Sequence, residues 1–191
     1  MGMTGAPGGF DRRAAKADEQ YARVIATAPS SYQPQADSYT ECPTREYLVS
    51  VIERQVALSK QQHVPLSLVL VELWLVADAN EAKRNSYADG ALNAVSKIFR
   101  SHLRPTDIIL RYRQKTLGLL LPESDQKGSE RVCLRLRNAL SRRLLFDANV
   151  IASVPVFGIS DNISRFGNPG ESLLSLSELQ LDLAKLAVGE A

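Results

Sequence analysis

The apolar residues of this chain alternate between two rhythms. From Thr44 to about Gln61, Leu48, Val51, Ile52 and Val56 recur at helical spacing behind a residue suited to an N-cap, which predicts a helix. Pro65 then opens LSLVLVELW, a nearly all-apolar run of the kind that forms a central strand covered on both faces. After a loop through Asn80 the helical rhythm returns, from about Lys83 or Asp89 to His102, with Leu92, Val95 and Phe99 inward. Next comes RPTDIILRYRQKTLGLLLP, Arg104 to Pro122. Its two short apolar runs, Ile108 to Leu110 and Leu117 to Leu121, flank a polar tip of Arg113, Gln114, Lys115 and Thr116. Short apolar runs bounded by polar turn residues predict a strand hairpin. A third helix is expected over about Gln126 to Leu144, with Val132, Leu136 and Leu140 inward. Val150 to Ile159 reads as a strand interrupted by Pro155, hence a bulge or an edge position. A turn at Asn168-Pro169-Gly170 leads to a last amphipathic helix, Leu173 to Val188. The layout is α/β, with helices packed on a mixed sheet.

The first 36 residues follow neither rhythm in the same way. Residues 1–9, MGMTGAPGG, have nothing to pack, and Pro29 to Gln35 reads as a linker. Between them Asp11 to Ala28 is helix-compatible, with a narrow stripe of Tyr21, Val24 and Ile25. The expected organisation is a flexible N-terminal arm over 1–36, able to form a short helix, and one domain over 37–191.

Composition narrows the function classes. At 191 residues and 45% apolar, the chain can bury one ordinary core. A net charge of +2 does not suggest nucleic acid or a membrane surface as partner. Cys42 and Cys133 make no metal-binding spacing, and without a signal peptide they are expected to be reduced thiols. No apolar run approaches the roughly 20 residues of a membrane span. A soluble, cytoplasmic protein is the expectation.

Over about residues 37–188 the sequence resembles the GGDEF domain of diguanylate cyclases. DSYTECPTREYL, Asp37 to Leu48, is similar to the family's opening D-x-L-T-G-L-P-N-R-R-x-L. Glu72, Asn80 and Asp89 stand where the family has a strand-end aspartate, an asparagine and a helix Gly-Asp pair, with Ala88 for the glycine. Arg104 and Asp107 match the RxxD inhibitory site, and Arg111 to Leu117 aligns with R-Y-G-G-D-E-F. Pro122 ends the following apolar run in register, and ungapped counting puts Arg135 where the family's next helix completes the inhibitory site. Ser153 to Ser160 resembles V-S-I-G-V-A with Gly158 retained, and Ala184-Lys185 resembles a late Ala-Lys pair. The resemblance implies a mixed, mainly antiparallel central sheet flanked by helices.

The resemblance also implies a chemistry. In the family, two GTP molecules on two facing domains are condensed to cyclic di-GMP, a bacterial second messenger. Loop glycines let the backbone approach the nucleotide, and acidic residues hold divalent metal. Here Arg113 and Gln114 replace the glycines, and Lys115 and Thr116 replace the acids. The larger side chains are expected to fill the nucleotide's space. An ammonium has no lone pair for a metal, and Glu72 alone is a poor two-metal site. The expectation is therefore a domain that is no enzyme, with no catalytic residues, no metal and no cofactor.

Cyclic di-GMP as a ligand remains compatible with the RxxD step. A guanidinium donates in a fork to phosphate or to guanine O6 and N7, and a carboxylate accepts from guanine N1–H and N2–H₂. Arg104, Asp107 and Arg135 are the expected contacts, with Arg131 one turn before Arg135 as an auxiliary. The resulting expectation is a cyclic di-GMP receptor that signals through a protein partner or a second copy. The alternative is a nucleotide-independent interaction domain, in which Arg104 and Asp107 merely pair at a surface turn.

Overall fold

A computed structural model describes residues 36–38, 40–75, 81–144, 153–162 and 169–189. The arm before Ala36, Asn80 and the Asn168 turn position lie outside the described residues. The elements run α1 (Arg45–Gln62), β1 (Leu66–Leu75), α2 (Glu81–Arg100), β2 (Ile108–Arg113), β3 (Thr116–Pro122), α3 (Gln126–Leu144), β4 (Ser153–Asp161) and α4 (Pro169–Gly189). Thr44 sits at the N-cap of α1 in an extended conformation, and the helix ends at His63, whose φ of 56° is left-handed. That backbone turns the chain so that the His63 N–H donates to the Lys60 carbonyl and the Val64 N–H to the Ser59 carbonyl.

The strands form one four-stranded sheet in the order β2-β3-β1-β4. All three neighbouring pairs are antiparallel, and among the described residues the parallel pairing is an isolated bridge between Thr44 and Arg111. β1 is interior, as its unbroken apolar run predicts. β4 lies at an edge of the described sheet, where Pro155 opposes Leu73 without needing to donate outward.

Two helices cover each face. Leu66, Leu68 and Leu70 of β1 pack with Ile108, Leu110 and Leu120 against Tyr47, Leu48, Val51 and Val56 of α1 and Leu173 and Leu181 of α4. Val69, Val71 and Leu73 pack with Ile109, Leu117, Leu119 and Leu121 against Leu92, Val95 and Phe99 of α2 and Val132, Leu136 and Leu140 of α3. Successive side chains of a strand point to opposite faces, so a strand buried on both is apolar throughout. That is the physical content of LSLVLVELW.

α4 lies unusually close to the sheet at Gly158, where a Cβ would fall 2.2 Å from the Ser177 carbonyl oxygen and 2.5 Å from the Leu181 nitrogen. The approach lets the buried Ser177 hydroxyl donate to the Leu68 carbonyl at 3.0 Å, while the Ser160 hydroxyl donates to the Leu173 carbonyl at 2.7 Å. The two hydroxyls are also 2.7 Å apart. Ser177→Ala is expected to lower unfolding free energy by about 1–2 kcal/mol, from a lost buried hydrogen bond and partly unsatisfied partners. Urea unfolding with an unchanged m-value checks this.

Candidate functional site

The Arg104–Asp107 step closes a tight turn between α2 and β2. The Asp107 N–H donates to the Arg104 carbonyl at 3.1 Å, and the Arg104 N–H donates to Asp107 Oδ2 at 2.8 Å. Asp107 is 2% exposed, whereas the Arg104 side chain stands in solvent. Arg135, exposed on α3, lies within electrostatic range of the same carboxylate, as does Arg104. Burial pushes the Asp107 carboxyl above its usual range, against the Arg104 amide and the charges of Arg104 and Arg135, which pull it down. The three residues singled out by the sequence thus gather around one buried carboxylate, and backbone hydrogen bonds link Arg104 and Asp107.

This shift has a sign. An acid with a raised folded pKa contributes stability that is present below its unfolded value, 3.8, and lost as pH rises through the folded value. Asp107→Asn keeps an oxygen to cap the Arg104 N–H and removes the titration. Wild type is therefore expected to lose ground to Asp107→Asn as pH rises from 3.8 through the folded value, which thermal midpoints across that range would show.

At the other end of the sheet, Arg111 ties three segments together. One terminal nitrogen donates to Asp37 Oδ1 and Oδ2 at 3.0 and 3.1 Å. The other donates to the Asp89 carboxylate on α2 and, at 3.1 Å, to the Gln114 carbonyl of the hairpin tip. Its N–H also donates to the Pro43 carbonyl at 2.7 Å. Burial works against the Arg111 charge, but the Asp89 and Asp37 carboxylates outweigh it and hold the guanidinium more basic than usual. Burial likewise pushes Asp37 up, yet its bonds to Thr40 and Arg111 leave it below the usual carboxylate range. Sequence reasoning placed Asp37 and Asp89 in their motifs but missed Arg111 as the group joining them. The signal available was Arg111, an arginine within a mostly apolar strand whose charge needs a partner.

The tip departs from expectation in one respect. Arg113, expected to fill the nucleotide's space, instead lies over the Tyr112 ring, 5.2 Å from its centroid, and donates to Glu178 of α4. The Tyr112 hydroxyl donates to the same Glu178 oxygen at 2.6 Å, and Arg45 lies over the ring at 5.2 Å. Glu72, paired across the sheet with Thr116, accepts from Lys185 Nζ at 3.1 Å and from the Thr116 hydroxyl at 3.4 Å. Lys185 also pairs with Asp182 at 2.9 Å. Among the described residues no three His, Cys, Asp or Glu side chains stand together as a metal site. The donor set around Glu72, a lysine and a threonine hydroxyl, does not fit the metal that the resemblance implies.

A four-stranded antiparallel sheet with two helices on each face defines an α/β domain, with the Arg111 clamp at the hairpin and the Asp107 carboxylate buried at the turn before β2. The chain belongs to the GGDEF family, whose model, described as "Diguanylate cyclase, GGDEF domain", matches residues 35–188. Diguanylate cyclase DosC of Escherichia coli K12 is 23% identical over 158 residues, which is 82% of this chain and 34% of that protein. The chain thus spans about a third of the length of the curated relatives it matches. Among solved structures, diguanylate cyclase SiaD of Pseudomonas aeruginosa in complex with its activator SiaC superposes with a TM-score of 0.70 at 18% identity, covering 93% of this chain and 66% of that one. The GGDEF domain of DgcB from Caulobacter crescentus in complex with c-di-GMP gives 0.65 at 13% identity, covering 83% and 94%. These structural likenesses establish the fold.

The family corrects the expectation that the chain is no enzyme. Its curated relatives are named diguanylate cyclases, which are enzymes, and nothing in the matches marks this chain as inactive. Tyr112 and Glu178 draw the Arg113 side chain to α4, so the steric part of that expectation does not rest on Arg113. Among the described residues no helix is long and apolar enough to cross a membrane.

Proposed function

We propose that this GGDEF-family domain is a cytoplasmic cyclic di-GMP receptor, holding the ligand at Arg104, Asp107 and Arg135 and passing the signal on by protein–protein contact. The supporting observation is the buried Asp107 carboxylate, set by the Arg104 amide and within electrostatic range of two exposed guanidiniums. A fixed carboxylate suits the N1–H and N2–H₂ edge of guanine, and two exposed guanidiniums suit a phosphate and a guanine O6/N7 edge. Domains of this fold have been solved with c-di-GMP and with an activator protein, so both kinds of partner are compatible with it. This site uses different residues from the hairpin tip, so binding here does not itself require GTP turnover by the domain.

Calorimetry of the purified chain with cyclic di-GMP tests the reading. Saturable binding at micromolar ligand is expected. No binding at 100-fold that concentration, or about 2.7 kcal/mol weaker, would leave the domain a nucleotide-independent interaction module.

A further inference from the structure

α4 carries two apolar stripes, and the sheet uses only one. Leu173, Ser177 and Leu181 are buried against the sheet. On the other side Leu179, Leu183 and Leu186 are 53%, 52% and 62% exposed, and Leu176 is half-buried one turn before them. Positions 176, 179, 183 and 186 step by three, four and three residues. That is the strict two-per-heptad spacing of a helix–helix seam rather than the broader stripe that packs on a sheet. An apolar patch of about 300–600 Å² is the largest that typical monomers expose, and such patches are often functional.

We propose that this leucine seam is a homotypic docking surface, on which the α4 helices of two copies of this chain pair. The borders of the seam select this occupant over two others. Ser175, Gln180, Asp182 and Ala187 flank it, so the only charged flank is Asp182. Glu178 and Lys185, the nearest other charges, are already engaged by Tyr112 and Arg113 and by Glu72 and Asp182. A helix that lies on a membrane carries Lys and Arg along its polar face to meet anionic headgroups, and these flanks carry none. A strongly charged protein partner would likewise find no complementary ring. A second copy requires neither. Leucines related by a two-fold axis supply both the knobs and the holes, and one acid per helix leaves little repulsion. The seam spans only the eleven residues from Leu176 to Leu186, about three helical turns. The dimer should therefore be weak and concentration-dependent.

Sedimentation velocity of the full chain from about 1 to 300 µM, a span that covers dissociation constants of about 1 to 100 µM, tests this. Wild type is expected to shift from monomer to dimer across the range. Leu183→Glu should raise the dissociation constant about tenfold or more, because it sets a charge against apolar surface. Leu179→Gln should raise it too without adding charge, and both variants should keep the wild-type circular dichroism spectrum. A chain that stays monomeric throughout would overturn the proposal, as would a dimer that both variants leave intact. Monomers that co-sediment with anionic phosphatidylserine vesicles through these leucines would also overturn it.

Discussion

Arg111→Ala is expected to destabilise the domain by about 3 kcal/mol, the lower end of the range for breaking a buried ion pair by removing one partner. The lower end applies because the Arg111, Asp37 and Asp89 side chains retain 14%, 17% and 17% exposure, so water relieves part of the stranded charge. Removing the guanidinium leaves two carboxylates facing each other and the Gln114 carbonyl without that donor. It also unfastens the hairpin tip from the segment around Asp37 and from α2. The pH dependence has a definite sign. Asp37 titrates below its unfolded value of 3.8, so its contribution is present above that value and lost as pH falls through the folded one. The gap between wild type and Arg111→Ala should therefore narrow in acid. Chemical unfolding at pH 7 and again below pH 3.8 checks both statements. A variant as stable as wild type at neutral pH would mean the three acceptors find other donors.

Arg104→Ala is expected to weaken cyclic di-GMP binding by about 1.5–3 kcal/mol, the range for a hydrogen bond to a charged group, which is roughly 10- to 150-fold. Its cost to folding should be small, because the side chain is exposed and the turn is held by the Arg104 backbone and the Asp107 carboxylate. The split between affinity and stability is the informative part. If the residue only paired with Asp107 at a surface turn, the substitution would change neither by much. Calorimetry and a melting curve on the same preparation separate the cases.

Much of this architecture was legible because each face of the sheet leaves its own period in the chain. Leu92, Val95 and Phe99, or Val132, Leu136 and Leu140, step at helical intervals and are buried together against one face. Pro155 suggested a bulge or an edge position for its strand, and β4 lies at an edge of the described sheet. Helix α3 spans the expected Gln126 to Leu144. The last helix starts at Pro169 rather than Leu173, since proline suits a first helical turn and the apolar rhythm begins only later.

The candidate site was legible only in part. Arg104, Asp107 and Arg135 could be picked out by the resemblance to the family, but the resemblance could not show that the carboxylate would be buried and bonded to a backbone amide. The Arg111 clamp joins residues 37, 89, 111 and 114, and no local pattern encodes a contact that only the folded sheet creates. Arg113 misled for the same reason. Its size suggested an obstruction, while its direction was decided by Tyr112 and by Glu178 on the distant α4.

A crystal structure of the domain with cyclic di-GMP tests the central claim most directly. The account predicts ligand at the turn between α2 and β2, with Asp107 accepting from a guanine and Arg104 and Arg135 donating to phosphate or guanine. Ligand bound only at the hairpin tip, beside Glu72, Lys115 and Lys185, would contradict it.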